Sequence, residues 1–491
     1  MVAMPTLTLQ NNPLAARRPG AALAAALVAL ALAGCATSQP PSAGLPALGV
    51  PATWSPGHLV YAPDADPQSL ARWWQGLGDA QLTGLVEQAL QANPSLAATQ
   101  AALRQARAQR DVTAAGLSPS LDGSGSAQRS RSGNSTGNSF STGLDASWEI
   151  DVFGRIASGV AAGDADVRTA QATLEGARVS LAAEVALSYI ELRNLQQRLA
   201  IARSNLASQQ ETLQITDWRM QAGLTTSLAT EQARAAAAQT AAQVPALEAS
   251  LAQTRHALAV LTGQNPAALD AQLAAVARVP QAPDALALQI PAETLRQRPD
   301  VIAAEARVAA ALARVSQADA ARYPSFRLGG SLGLRALTLG ALTQGGSVVS
   351  SLLGSISVPL LDGGAARAQV RVQEAGLEQS RLNYAATVLT ALQEVEDALA
   401  ALQGDGLRLE QLRVAAQAAA NAALLAQQRY SSGLVDFQTV LETQRTQLSS
   451  QDSLASAQAT LTADHVRLYK ALGGGWTPGA AESSAAAPAT N

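Results

Sequence analysis

The chain has 491 residues, 48% of them hydrophobic, 14% charged and 3% aromatic, and carries a net charge of −3. That length exceeds one compact core and suggests about three units, while the ordinary apolar fraction excludes both a bundle of membrane helices and a disordered chain. Near-neutral charge with a single lysine, Lys470, argues against nucleic acid as a partner, and a single cysteine excludes a disulfide framework or a multi-cysteine metal site.

At the N-terminus, Arg17 and Arg18 precede an apolar run from Ala21 to Leu32 and then small residues. This order is that of an export signal over residues 1–34, and the run falls short of the roughly 20 residues that a membrane helix needs. Leu32-Ala33-Gly34-Cys35 resembles the bacterial lipoprotein signal, which makes Cys35 the expected site of lipid attachment (palmitate among the acyl groups). The alternative is a plain secretory signal with an incidental cysteine. Ala36, where an aspartate would favour inner-membrane retention in that lipoprotein class, points to the outer membrane. Residues 35–70 are rich in proline and small residues and read as a tether. No later stretch is long and apolar enough for a membrane helix.

The body reads as one plan written twice, over residues 71–264 and 293–476. Asn93-Pro94 and Pro119 are spaced as Arg298-Pro299 and Pro324 are, 25 residues between the prolines in each case. Arg219-Met220-Gln221-Ala222-Gly223-Leu224 recurs 210 residues on as Arg429-Tyr430-Ser431-Ser432-Gly433-Leu434, and Leu261-Thr262-Gly263 returns as Leu472-Gly473-Gly474. Four landmarks in one order at near-constant offset mark an internal duplication. Residues 265–292, with four prolines, read as a connector, and 477–491 as a disordered tail.

Each half is predicted to run helix, two strands, very long helix, turn, helix. Strands are expected at about 119–130, 140–152, 324–336 and 348–361. From Leu144 to Val152 apolar residues alternate with Asp145, Ser147, Glu149 and Asp151 without exception, so one face is apolar and the other polar. Phe326, Leu328, Leu332 and Leu334 repeat this, and Leu352, Gly354, Ile356, Val358 and Leu360 form a fourth row. The first strand is diluted by Gly123 and Gly125, and loops are expected at about 131–138 and 338–346. Long helices are predicted over 155–222 and 365–430, followed by 224–262 and 435–472. Leu181, Val185, Ser188, Leu192, Leu195, Leu199, Ala202 and Leu206 keep a 4-3 spacing, a heptad seam matched by Leu392, Val395, Leu399 and Leu402. Gly404-Asp405-Gly406 is expected to break or kink the second long helix. Alanine-rich, aromatic-poor composition suits long helices packed side by side.

Hairpins with one apolar and one polar face cannot stand alone, because their open edges leave backbone groups unpaired, at several kcal/mol each in a bilayer. Membrane barrels need about eight strands, so four per chain require partner chains. A small soluble sandwich beside a helical domain is the competing arrangement. With the lipobox, the duplicated plan, Trp148-Glu149-Ile150-Asp151-Val152-Phe153-Gly154-Arg155, its counterpart Val358-Pro359-Leu360-Leu361-Asp362-Gly363-Gly364 and the two Arg-x-x-x-Gly-Leu turns, the chain resembles the TolC-like outer-membrane efflux proteins. The likeness is greatest to the lipoprotein subgroup of tripartite drug-efflux systems.

That resemblance implies a mainly α fold with a membrane β-barrel portion, in which a homotrimer forms a 12-stranded barrel continued by a periplasmic α-helical tunnel. It implies a periplasmic adaptor and an inner-membrane efflux transporter of the RND type as partners, with outer-membrane lipid around the barrel. Arg219, Gly223, Leu224, Arg429, Gly433 and Leu434 become the helix tips that meet the adaptor. Glu442 matches the second acid of the family's gate motif, whose first acid is replaced here by Thr439. Asp436 and Tyr430 are the other expected aperture residues, with a weaker carry-over to Arg445. Asp145, Glu149 and Asp151 are expected to face the lumen and Trp148 the lipid.

No catalytic, cofactor-binding or metal-ligating constellation is legible. His58, His256 and His465 are scattered, and no nucleophile elbow or phosphate loop occurs. The resemblance implies a passive exit duct for small molecules such as drugs, and the lack of such motifs argues against an enzyme. Alternatives are a channel for type I protein secretion and a lipid-anchored periplasmic coiled-coil scaffold.

Overall fold

Helices of matched length recur in the two halves. The computed structural model describes residues 44–46, 70–281 and 296–476; Cys35 with the signal, most of the tether, the end of the connector and the tail lie outside these. After a 3-10 turn at Trp73–Leu77 come α1 (Ala80–Ala92), α2 (Pro94–Ala115), β1 (Ser120–Ser132), β2 (Ser135–Ile150), α3 (Arg155–Gln221) and α4 (Ser227–Leu261). The second half carries α5 (Pro299–Ala320), β3 (Ser325–Ala336), β4 (Val348–Ser357), α6 (Ala365–Ser431) and α7 (Phe437–Ala471). α2 and α5 both have 22 residues, α3 and α6 both 67, α4 and α7 both 35. Equal lengths in three successive helix pairs establish the duplication independently of the sequence motifs.

The landmark motifs of each half meet in space. Asn93 caps α2 by accepting from the Leu96 amide at 3.0 Å, with Pro94 in the first turn, and its amide nitrogen donates to the Leu261 carbonyl at the end of α4. Arg298, before Pro299, donates to the Ala471 carbonyl at the end of α7 and to Asp300 and Glu394. The opening of each repeat therefore clasps its own closing helix. Gly263 makes one clasp sterically strict: its φ is +73°, and an added Cβ would lie 2.3 Å from the Ala92 carbonyl oxygen. Gly263→Ala is expected to cost ~2–4 kcal/mol through backbone strain and forced separation. Thermal melting of the purified variant, and its yield in the membrane fraction, would measure this.

α3 occupies the centre, packed on α2 and α4 of its own half and on α5 and α7 of the other, whereas α6 packs on α5 and α7. Leu181, Val185, Leu192, Leu195, Leu199 and Ala202 of the predicted seam are buried, as are Val395, Leu399 and Leu402. α6 runs unbroken through Gly404-Asp405-Gly406, contrary to the expected kink. Buried Leu402 and Leu409 on either side hold the turn by packing, which outweighs the roughly 1 kcal/mol per glycine that propensity opposes. Pro245 lies within α4 at an exposed position, where water can satisfy the carbonyl it leaves free. At 1.5 Å per residue the two long helices reach about 100 Å.

The described part of the connector, residues 265–281, is strapped to α3. Leu269 and Leu273 are buried, and Arg193, 2% exposed, donates to the Ala275 carbonyl, Gln81 and Tyr189. Gln196 donates to the Leu273 carbonyl, and Tyr189 completes the group by donating to Asp79, the N-cap of α1. Burial beside Asp79, opposed by Arg193, pushes the Tyr189 phenol up to about 12, so it stays protonated and bridges cation and anion.

The four strands form one antiparallel sheet in the order β1-β2-β3-β4. Its register places Leu121, Ala146, Gly330 and Leu352 in one rung and Trp148, Leu328 and Gly354 in another, so the predicted apolar rows coincide on one face. The opposite face carries Asp122, Asp145, Ser331 and Ser351 in a rung, with Val349 and Leu353 of β4 interrupting its polarity. Three boundaries differ from expectation. β2 starts at Ser135, leaving Gly133-Asn134 as a two-residue turn where a longer loop was predicted, because Gly133 takes a positive φ of +60°. β2 ends at Ile150, where Asp151 leaves the sheet to cap α3, and β4 ends at Ser357, since Pro359 cannot donate to a ladder.

Candidate functional site

The sheet and the helix turns mark the two ends of the molecule, and each end has a distinct chemistry. At the sheet end, the apolar face is exposed along Leu121, Leu144, Leu328, Leu332, Leu352 and Ile356. On the polar face, hydroxyls bond across strands: Ser120 with Ser147, Ser126 with Ser141, and Ser331 with Ser351, at 2.7–2.9 Å. Ser124 donates to Asp145 at 3.0 Å. Asp122 lies directly opposite Asp145, a like-charge pair that is tolerable only on a hydrated surface. One face thus suits lipid and the other water. Among the described residues no helix is long and apolar enough to cross a membrane.

β1 and β4 are both open edges, rows of unpaired backbone groups that invite another strand. The helical layer is open as well, for α6, which follows β4 in the chain, exposes Val372, Leu382, Leu389, Leu407, Val414, Leu424 and Leu425. Apolar side chains along the whole length of one edge helix call for a covering surface.

Where strands hand over to long helices, the halves use one device. Asp151 accepts from the amides of Ile156 and Ala157, and Asp362 from those of Gly364 and Ala366. Gly154 and Gly364 precede the helices with φ of +73° and +88°. The Asp362 carboxylate is held below its ordinary pKa by these amide bonds. Asp151, expected on a lumenal strand face, is instead a helix cap. Glu149 remains on the polar face, paired with Arg155 at 2.6 Å and 3.7 Å from Arg327. Trp148, on the apolar face, donates its indole N–H to the Leu117 carbonyl.

At the opposite end the two predicted turns share one geometry. The Gly223 amide donates to Met220 and the Leu224 amide to Arg219; the Gly433 amide donates to Tyr430 and the Leu434 amide to Arg429. With φ of +71° at Gly223 and +74° at Gly433, each is a Schellman motif, which closes a helix through a left-handed residue. The leucine that follows such a glycine usually folds back on its helix; here Leu224 is 73% and Leu434 74% exposed. The turns are fastened together: the Arg219 guanidinium sits 4.5 Å above the Tyr430 ring and donates to the Tyr430 carbonyl. Tyr430 packs in turn near Phe437, part of a small core with Ala229, Ala233, Ala236 and Leu441.

Asp436 is the N-cap of α7, accepting from the Thr439 amide at 2.9 Å. Bonds from the Thr439 hydroxyl and amide hold its carboxyl below the usual range. Thr439, which replaces the first expected acid, is thus bonded to the helix cap Asp436. Glu442 and Arg445 are exposed on α7, turned away from the face that buries Phe437, Val440, Leu441 and Gln444. Neither side chain has an intrachain ion pair among the described residues. Two links escaped sequence reasoning: Gln444 donates to Thr212 across the buried α3–α7 contact, and Arg198 pairs with Asp452. Both join positions more than 230 residues apart, so only the repeat offset could have hinted at them.

A family model described as outer membrane efflux protein matches residues 85–264 and 290–474. The pyoverdine export outer membrane protein OpmQ of Pseudomonas putida is 34% identical over 91% of this chain and 96% of its own length. Outer membrane protein OprJ of Pseudomonas aeruginosa is 33% identical over 94% of this chain and 98% of its own, and the cation efflux system protein CusC of Escherichia coli is 30% identical over 91% and 97%. Among solved structures, the outer-membrane channel OprN superposes with a TM-score of 0.79 at 34% identity, covering 90% of this chain and 99% of that one.

Proposed function

The chain belongs to the outer membrane efflux protein family, and from that premise we propose that it acts as a lipid-anchored homotrimer whose sheets close a 12-stranded barrel. It is an exit duct in the outer membrane, part of an efflux system. The observation that carries the trimer is the open sheet, with one face for lipid, one for water, and edges at β1 and β4. Joining β4 of one chain to β1 of the next removes every edge, and three copies exceed the minimum that a membrane barrel needs. The apolar stripe of α6 is covered by the same step, against the neighbouring helices of the next chain.

The resemblance, the exposed pair Leu224 and Leu434, and the fastened turns support reading Arg219, Gly223, Leu224, Arg429, Gly433 and Leu434 as the rim that meets a periplasmic adaptor. An inner-membrane transporter of the RND type supplies energy in this reading, and the chain performs no catalysis. Relatives named for pyoverdine export and for cation efflux support a duct shared by different cargo, with choice made upstream; drugs are one such cargo. Cys35 carries the lipid. Cys35→Ser is expected to abolish labelling by radioactive palmitate while leaving the fold intact; undiminished labelling would exclude this site.

Glu442 and Tyr430, with Asp436 at the helix start, border the aperture. Three copies of Glu442 at a constriction favour cations. In planar bilayers the protein is expected to form cation-selective channels, and to run as a heat-resistant or detergent-resistant trimer. Glu442→Gln should lower cation selectivity about two- to threefold without changing trimer stability. A protein that neither conducts nor trimerises would return the scaffold reading. Unchanged selectivity in the variant would remove Glu442 from the aperture. Protein secretion is distinguished by cargo: an exported polypeptide missing from the medium of a deletion strain.

A further inference from the structure

Beyond the last apolar rung of the sheet, the lipid-side face turns basic. The rungs of that face run from Ile150–Phe326–Ile356 near the helices to Ala127–Phe140–Ala336 at the far end. Ten residues of β2 separate Ile150 from Phe140, about 34 Å along the strand, or about 26 Å of depth at a tilt near 40°. This equals the height of a barrel's apolar band, about 25 Å, and Trp148 and Phe326 at one limit and Phe140 at the other are placed as its aromatic girdles. The next two rungs of the same face are Arg129 with Asn138 and Arg131 with Thr136.

Both arginines are exposed. The Arg131 guanidinium uses only its Nε, on the Gly133 carbonyl at 3.3 Å, and among the described residues the Arg129 side chain makes no hydrogen bond or ion pair. At about 7 Å spacing, two guanidinium groups stand just outside the outer girdle, turned toward lipid. The corresponding end of β3 offers nothing similar, since Arg335 pairs with Ser141 on the water-side face. We propose that Arg129 and Arg131 bind the phosphate groups of the glycolipid in the outer leaflet of the outer membrane. A planar guanidinium binds phosphate through paired hydrogen bonds, and cations placed at this depth reach headgroups without leaving the barrel wall. Three such pairs would ring a trimer. The inference rests on the reading of the sheet as membrane-spanning.

The test uses the full-length protein in nanodiscs containing bisphosphorylated lipid A, dephosphorylated lipid A or phosphatidylglycerol in a common zwitterionic lipid, with bound lipid counted by native mass spectrometry. Retention of bisphosphorylated lipid A is expected to exceed that of the dephosphorylated form about tenfold, and to fall by a similar factor in Arg129→Gln/Arg131→Gln. Arg335→Gln, which removes a strand arginine from the water-side face, should retain lipid as the unsubstituted protein does. Equal retention by the double variant, or equal retention of the dephosphorylated lipid, would overturn the proposal, and equal retention of phosphatidylglycerol would overturn the glycolipid as its source. A fluorophore on Ala127→Cys, read against brominated lipid, separates the two layers of inference. Quenching without phosphate dependence sinks the arginine site alone, whereas no quenching sinks the membrane-spanning sheet as well.

Discussion

Gly433→Pro is expected to abolish efflux-dependent resistance while trimers still form. The residue has a φ of +74°, whereas proline is fixed near −65°. The substitution also removes the amide that donates to Tyr430. The Schellman closure of α6 is lost, Leu434 is displaced, and Tyr430 no longer presents one geometry to Arg219. Strain and lost bonds of this kind amount to ~3 kcal/mol or more, but they fall at the rim, far from the clasps and sheet that hold the chain together. Drug susceptibility of a deletion strain carrying the variant, with crosslinking to the adaptor and trimer content on gels, would check this. Full resistance would show that the rim tolerates a disordered turn. Loss of trimers would show that the turn is needed for folding, not docking. Leu224→Asp/Leu434→Asp supplies a gentler control, since both side chains are exposed and their change should weaken docking with little cost to the fold.

Arg193→Met should be the most damaging single change to the connector. Methionine fills much of the volume but removes the donor that joins the side-chain oxygens of Gln81 and Gln196, the Ala275 carbonyl and the Tyr189 hydroxyl. Losing several buried hydrogen bonds to a charged donor costs ~3–5 kcal/mol, and the cation resting 4.8 Å from the Tyr189 ring is also lost. A lower melting temperature and new proteolytic cleavage within residues 265–281 are expected. An unchanged cleavage pattern would mean that Leu269 and Leu273 hold the connector unaided.

The duplicated plan was legible because its landmarks are local: a proline that opens a helix, a glycine that closes one, an alternation that allows one reading. Strand faces were legible for the same reason, and the observed register aligns them rung by rung. What could not be read depended on partners distant in the chain. Gly404 and Gly406 signal a break locally, yet buried Leu402 and Leu409 override it. Asp151 continues the alternation perfectly and still leaves the sheet, because free amides at the start of α3 compete for its carboxylate. The tip residues were identified by repetition, but that Arg219 lies over Tyr430 is a property of two turns brought together across 211 residues. Arg193 gave only a faint sign, a cation one turn from a tyrosine.

The equality of α3 and α6, at 67 residues each, makes the chain a pair of rulers. Because both start at the sheet and end at turns that touch, the rim is level. Inserting one heptad into α3 alone would raise its turn by about 10 Å and pull Arg219 off Tyr430, leaving a crenellated edge for any ring-shaped partner. Changes of length in this architecture are therefore expected to come in twos, one per half, and in steps of seven, so that the reach of the helical layer can be retuned only by editing both rulers together.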